Sequence, residues 1–266
     1  MTGMPLAASH NIVRVEFVRF KAFKRFSLTC LLFMDAQAIS NRAEFAVVPV
    51  EGFNPERVRN LKAGMEETLG GRIVAAVILD RDYRSDAECE SVSAKCSQFC
   101  EFVRILQRKE VENFLLVPAA IDRAAKKKVV DRVVRSGISL TYQNQASKLL
   151  AEFAETKRAY VAAQMLTARR QFERTNSPYL DETTVVQASL ETFDGLWANE
   201  STRLNAIPGK EALSAINTRL QELYGITVTA TAIVDAMLIE EVPAEMLSLL
   251  EMLAKFVATM PGDGGE

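Results

Sequence analysis

The 266-residue sequence predicts an α/β fold: a parallel sheet flanked by helices, followed by a mainly helical C-terminal region. Three observations carry that expectation. Ile73-Val74-Ala75-Ala76-Val77-Ile78-Leu79 is an unbroken apolar run opened by Gly70-Gly71, the pattern of a central parallel strand buried on both faces. A strand and a helix lead into it: the stretch from Phe45 to Val50 is apolar, Asn54-Pro55 opens a helix, and Val58, Leu61, Met65 and Leu69 form that helix's apolar stripe. From Ala119 onward the apolar spacing is helical.

Taken in order, the chain begins Met1-Thr2-Gly3-Met4-Pro5, without the basic and then apolar segments of a secretory leader. Ile12 to Leu28 alternates apolar and charged residues in the manner of a half-solvated β-hairpin. Its Arg19, Lys21, Lys24 and Arg25 fit a solvated strand face better than a row of phosphate contacts. Leu31 to Phe33 is a short apolar stretch closed by Met34-Asp35, and the strand from Phe45 closes with Glu51-Gly52. After the central run, a helix is expected from Ser85 to Cys100, a short strand at Phe102-Val103-Arg104-Ile105-Leu106, and a strand-to-helix change at Glu110-Val111-Glu112-Asn113. Asn176-Ser177-Pro178-Tyr179 reads as a loop, and Val242 to Met260 as a core or subunit-interface helix with Met246, Leu249, Leu250, Leu253 and Phe256 on one stripe. The organisation expected is an N-terminal strand segment (1–44), an α/β core (45–118), a helical region packing on it (119–260) and a disordered tail (261–266).

Composition narrows the function classes. The chain is 48% hydrophobic and 25% charged, as in ordinary globular proteins, with a formal net charge of −2 that offers nucleic acid no global attraction. Contact with DNA then depends on a local basic surface or on metal. Arg123, Lys126, Lys127, Lys128, Arg132 and Arg135 supply one such surface, diluted by Asp122 and Asp131, and a solvated helix face is the competing explanation. No apolar run reaches the roughly 20 residues that span a bilayer, so a cytoplasmic location without membrane contact is expected. The single histidine, His10, and the absence of a Cys-x-x-Cys pair among Cys30, Cys89, Cys96 and Cys100 argue against histidine nucleophile relays and zinc-cysteine sites.

The chemistry-bearing residues gather at strand ends. Asp80 and Asp82 are two apart at the carboxyl end of the central run, so in extended backbone their carboxylates point the same way, toward the edge where open α/β sheets bind ligands. Hard divalent cations take oxygen donors in that arrangement; capping of the next helix is the alternative, and spacing alone leaves both standing. Glu110 and Glu112 would converge at a strand end and diverge on a helix, and Glu110 is the better candidate to face a metal.

Asp80-Arg81-Asp82-Tyr83 after a strand, then a second strand leading into Lys109-Glu110-Val111-Glu112-Asn113-Phe114-Leu115-Leu116, resembles the TOPRIM nuclease half of the overcoming-lysogenization-defect (OLD) family of ATP-dependent endonucleases. Pro208-Gly209-Lys210 opening a helix that ends in Tyr224-Gly225 extends the likeness, and the N-terminal segment resembles the start of that family's ATPase half. The resemblance implies a TOPRIM-like sheet and a DNA endonuclease or nickase. It also implies Mg²⁺ or Mn²⁺ held by Asp80, Asp82, Glu110 and Glu112, with Lys210 stabilising transition-state charge. The family's first-strand glutamate falls on Glu51, or it is lost or replaced by Asp35. No Gly-x-x-x-x-Gly-Lys-Ser/Thr loop is present, so no ATP site is expected; the partners expected are DNA and either a second copy of the chain or an ATPase chain, the latter able to supply the missing function. The alternative is a catalytically degenerate binding or regulatory module.

Overall fold

The computed structural model describes residues 13–18, 45–48 and 53–258. Four parallel strands form one sheet: β1 (Val13–Val18), β2 (Phe45–Val48), β3 (Ile73–Leu79) and β4 (Phe102–Ile105), in the order β2-β1-β3-β4. Helices α1 (Pro55–Leu69) and α2 (Asp86–Cys96) form the crossovers flanking β3. A 3₁₀ turn, Val111–Leu115, leads to the helical region: α3 (Pro118–Ser136), α4 (Ala146–Asn176), α5 (Glu182–Trp197), α6 (Glu200–Ala206), α7 (Gly209–Tyr224), α8 (Ala230–Ala236) and α9 (Ala244–Ala258). The expected α/β architecture and the mainly helical C-terminal part are both present.

Local chemistry fixes the crossovers. Asn54 caps α1, its side chain accepting from the Glu56 N–H at 2.9 Å, with Pro55 in the first turn, and Gly70 ends the helix at φ 66°, a left-handed conformation that glycine adopts without penalty. Ser85 caps α2 by accepting from the Glu88 N–H at 3.2 Å. All seven residues of β3 are buried. Ile73, Ala75, Val77 and Leu79 pack with Val58, Val92, Cys96 and Cys100 under α1 and α2, while Ile78 joins the opposite core with Leu106, Phe114, Ile121 and Leu150. A strand between two cores has no polar face, which is why its sequence lacks alternation. Burial also pushes the Cys96 and Cys100 thiols up to about 11 and about 12, leaving them protonated packing groups.

One expectation is corrected. The N-terminal alternation suggested a half-solvated hairpin, but β1 runs parallel to both neighbours and lies between them, Val13 beside Ile73 and Arg14 beside Phe45. A two-residue hairpin turn joins only antiparallel strands, whereas parallel pairing needs the crossover that β2 and α1 supply. Sheet pairing therefore runs across the boundary expected at residue 44. The helices from Ala119 also divide differently, with α3 ending at Gly137 (φ 67°) and α4 beginning at Ala146. The Val242 to Met260 stripe is core: Met246, Leu249 and Leu250 are fully buried. Among the described residues no helix is long and apolar enough to cross a membrane.

Candidate functional site at the carboxyl edge of the sheet

β3 ends at Leu79, and the next residue, Asp80, is 2% exposed and its side chain accepts a hydrogen bond from the Val111 N–H at 3.1 Å. Asp82 has φ 51°, a left-handed conformation that aspartate tolerates better than most residues, and its N–H donates to the Lys109 carbonyl at 2.9 Å. These two bonds tie the segment after β3 to the segment after β4. Because Ser85 caps α2, the aspartates are not needed for that role.

The second segment is braced from the far end of the chain. Asn113 Nδ2 donates to the Leu204 and Ile207 carbonyls at 2.7 and 2.9 Å, while its Oδ1 accepts from the Glu110 N–H at 3.0 Å. The Lys109 N–H donates to the Asn205 carbonyl at 2.8 Å. Gly209 lies so close that a Cβ there would stand 2.9 Å from the Asn113 nitrogen. That approach lets the first turn of α7 point its N–H groups at the acidic segment, and Lys210 N–H donates to Glu110 Oε1 at 2.7 Å. A helix N-terminus favours a carboxylate there through both the unpaired N–H groups and the helix dipole.

The two glutamates consequently differ. Burial pushes Glu110 up, but the Lys210 N–H, the Lys109 hydrogen bond at 2.9 Å and the charges of both lysines outweigh it, and its carboxyl lies below the usual range. Burial dominates at Glu112 and raises it, only partly offset by the Lys210 ammonium 3.7 Å away. Glu112 Oε2 is buried with no hydrogen-bond partner among the described residues.

Of the expected site residues, Asp80, Asp82, Glu110, Glu112 and Lys210 are gathered around this edge. Glu51 and Asp35 lie outside the described residues. β2, the strand that Glu51 follows in sequence, is separated from β3 by β1. Among the described residues no three His, Cys, Asp or Glu side chains are arranged to hold a metal ion. Instead the Lys109 ammonium sits 2.9 Å from Glu110 Oε2 and 4.0 Å from Asp82 Oδ1, against the Tyr83 ring at 5.4 Å. The donors are carboxylate oxygens, one of them an orphaned buried oxygen, of the kind hard cations take, but the Lys109 ammonium lies between Glu110 and Asp82. Lys109 was the residue the spacing argument passed over, although it adjoins Glu110 in sequence.

The expected basic surface on α3 is partly internal. Arg123 is bound to the Ala236 carbonyl and Glu241, and Arg132 to the Gly225 carbonyl, while Lys126 and Lys127 are exposed. A cleft of about 390 Å³ opens next to the acidic edge, between the Arg81–Asp86 turn and helices α4 and α5. No family model, curated protein or solved structure matches the chain.

Proposed function

We propose that the chain is a divalent-metal-dependent DNA endonuclease or nickase of TOPRIM type, acting without an ATPase of its own. The observation supporting this reading is the pair of backbone bonds, Val111 N–H to Asp80 and Asp82 N–H to the Lys109 carbonyl, that holds two acidic segments together at the carboxyl edge of a parallel sheet. Asp80, Asp82 and Glu110, with Glu112 beside them, would hold Mg²⁺ or Mn²⁺. The bound ion supplies Lewis-acid polarisation of a phosphoryl oxygen and an acidified water. The Lys210 side chain, 55% exposed at the rim, meets the charge that grows on a phosphodiester.

A second reading, a binding or regulatory module that has lost catalysis, draws on the Lys109 ammonium between Glu110 and Asp82. An internal cation there does the electrostatic work of a metal. Plasmid nicking in Mg²⁺, Mn²⁺ and EDTA, with Mn²⁺ titration of wild type and Asp80→Asn, separates the two. The nuclease reading expects metal-dependent nicking indifferent to ATP, and Mn²⁺ affinity that falls in Asp80→Asn. Equal affinity in both proteins together with no nicking supports the module.

A further inference from the structure

We infer that the Lys109 ammonium is the resident occupant of the cation position at the acidic edge, and that a divalent ion enters only by displacing it into the neighbouring cleft. The inference rests on the metal site proposed above and adds its regulation: the chain holds that site closed with a cation of its own.

The neighbours of Lys109 are those that bind cations in general. Its Nζ lies 2.9 Å from Glu110 Oε2, 4.0 Å from Asp82 Oδ1 and 5.4 Å from the centre of the Tyr83 ring. Two of these contacts are carboxylate oxygens, which a hard divalent ion also takes, and the third is an aromatic face. The Lys109 side chain is only 12% exposed and that of Glu110 only 8%, so water screens little here. An ion held by Glu110 and Asp82 would stand within a few ångströms of the ammonium, and two cations so placed exclude each other. Lys210 differs. It lies 3.7 Å from Glu112 with its side chain 55% exposed, where solvent weakens its charge.

The ammonium is not what holds the segment in place. The Lys109 N–H donates to the Asn205 carbonyl at 2.8 Å, and the Lys109 carbonyl accepts from the Asp82 N–H at 2.9 Å. The Asn113 side chain ties the same segment to the Leu204 and Ile207 carbonyls. The backbone is thus fixed on both sides, while the side chain, a flexible four-carbon stem ending in a point charge, can turn. The cleft of about 390 Å³ gives it somewhere to go, since Lys109 itself lines it together with Asp82, Asp86, Gln107 and Asn205. An ammonium turned that way leaves Glu110 to the incoming ion and still meets polar groups.

The test is calorimetric titration of Mn²⁺ into the full chain, with urea unfolding of the same proteins in EDTA and in saturating Mn²⁺. Lys109→Met keeps an unbranched side chain to pack on Tyr83 but offers neither charge nor an oxygen ligand. It is expected to bind Mn²⁺ about tenfold or more tighter than wild type, the scale of one charge-assisted hydrogen bond that the ion no longer breaks. Lys109→Arg, which keeps a cation, is expected to bind no tighter than wild type. The same holds for Lys148→Met, which removes an exposed lysine on α4. In EDTA, Lys109→Met is expected to unfold at lower urea, its carboxylates having lost their counter-charge, and Mn²⁺ restores the midpoint by binding the folded state. Should that variant fold poorly, wild type decides. Acetylation by an amine-reactive reagent, read by mass spectrometry, is expected to label Lys109 faster in Mn²⁺ than in EDTA, as the ammonium leaves its sheltered position for the open cleft. Equal or weaker Mn²⁺ binding in Lys109→Met, or Lys109 labelling unchanged in wild type that binds Mn²⁺, overturns the inference and leaves the metal site standing. Binding in neither protein removes the metal site and the inference with it. Tighter binding in Lys109→Met upholds the inference whether or not plasmid is nicked, so the nuclease reading is judged separately.

Discussion

At the scale of single residues, Gly209 and Glu112 carry the sharpest consequences. A methyl at position 209 would meet the Asn113 nitrogen at 2.9 Å and the Glu112 carbonyl carbon at 3.1 Å, both backbone and unable to swing aside. Gly209→Ala is therefore expected to destabilise the fold by about 1–3 kcal/mol, as overpacking does, measured by urea unfolding. Glu112 has a raised carboxyl in the folded state, so the folded chain binds more protons than the unfolded one over the window between the two values. Stability then declines as pH rises from the ordinary glutamate value through the raised one. Glu112→Gln is expected to flatten that decline in melts taken across the acidic range, and to leave the wild type no more stable than the variant at neutral pH. The acids themselves were legible in the sequence because their spacing at strand ends is a one-dimensional property. Lys109 was not, because its importance arises from two carboxylates that reach it from segments about 30 residues apart.

Among the elements, β3 and its crossovers follow directly from the chain's local chemistry. Seven consecutive apolar residues leave no polar face, and Asn54-Pro55 and Ser85 mark where helices begin. Leu79, fully buried beneath α1 and α2, tests how tightly that layer is filled. Leu79→Ala is expected to cost about 2–5 kcal/mol, read as a lower denaturant midpoint with an unchanged slope. β1 was misread for a physical reason. Alternation in Val13-Arg14-Val15-Glu16-Phe17-Val18 describes the strand but says nothing of its partner, which comes from another part of the chain. The cleft was equally hidden, since Met165, Arg169 and Leu196 join it from helices remote in sequence from Arg81.

For the whole molecule, a net charge of −2 means that any attraction for DNA is regional. Lys126 and Lys127 are exposed on α3, whereas Arg123 and Arg132 brace neighbouring segments. Replacing both lysines by glutamine is expected to lower the slope of log affinity against log salt by up to about 2, since each phosphate contact contributes about 0.9. Binding assays at several salt concentrations measure it, and an unchanged slope would place the DNA elsewhere. The position of β1 has a consequence of another kind. Val13 pairs with Ile73 and Val18 with Ile78, partners 60 residues later in the chain. At synthesis rates of about 5–20 residues per second, the strand at the centre of the sheet emerges from the ribosome several seconds before the strand that holds it. The sheet is thus completed from its middle only after its second half exists, and for those seconds the nascent chain carries an unpaired hydrogen-bonding edge that a chaperone or a neighbouring chain can reach first.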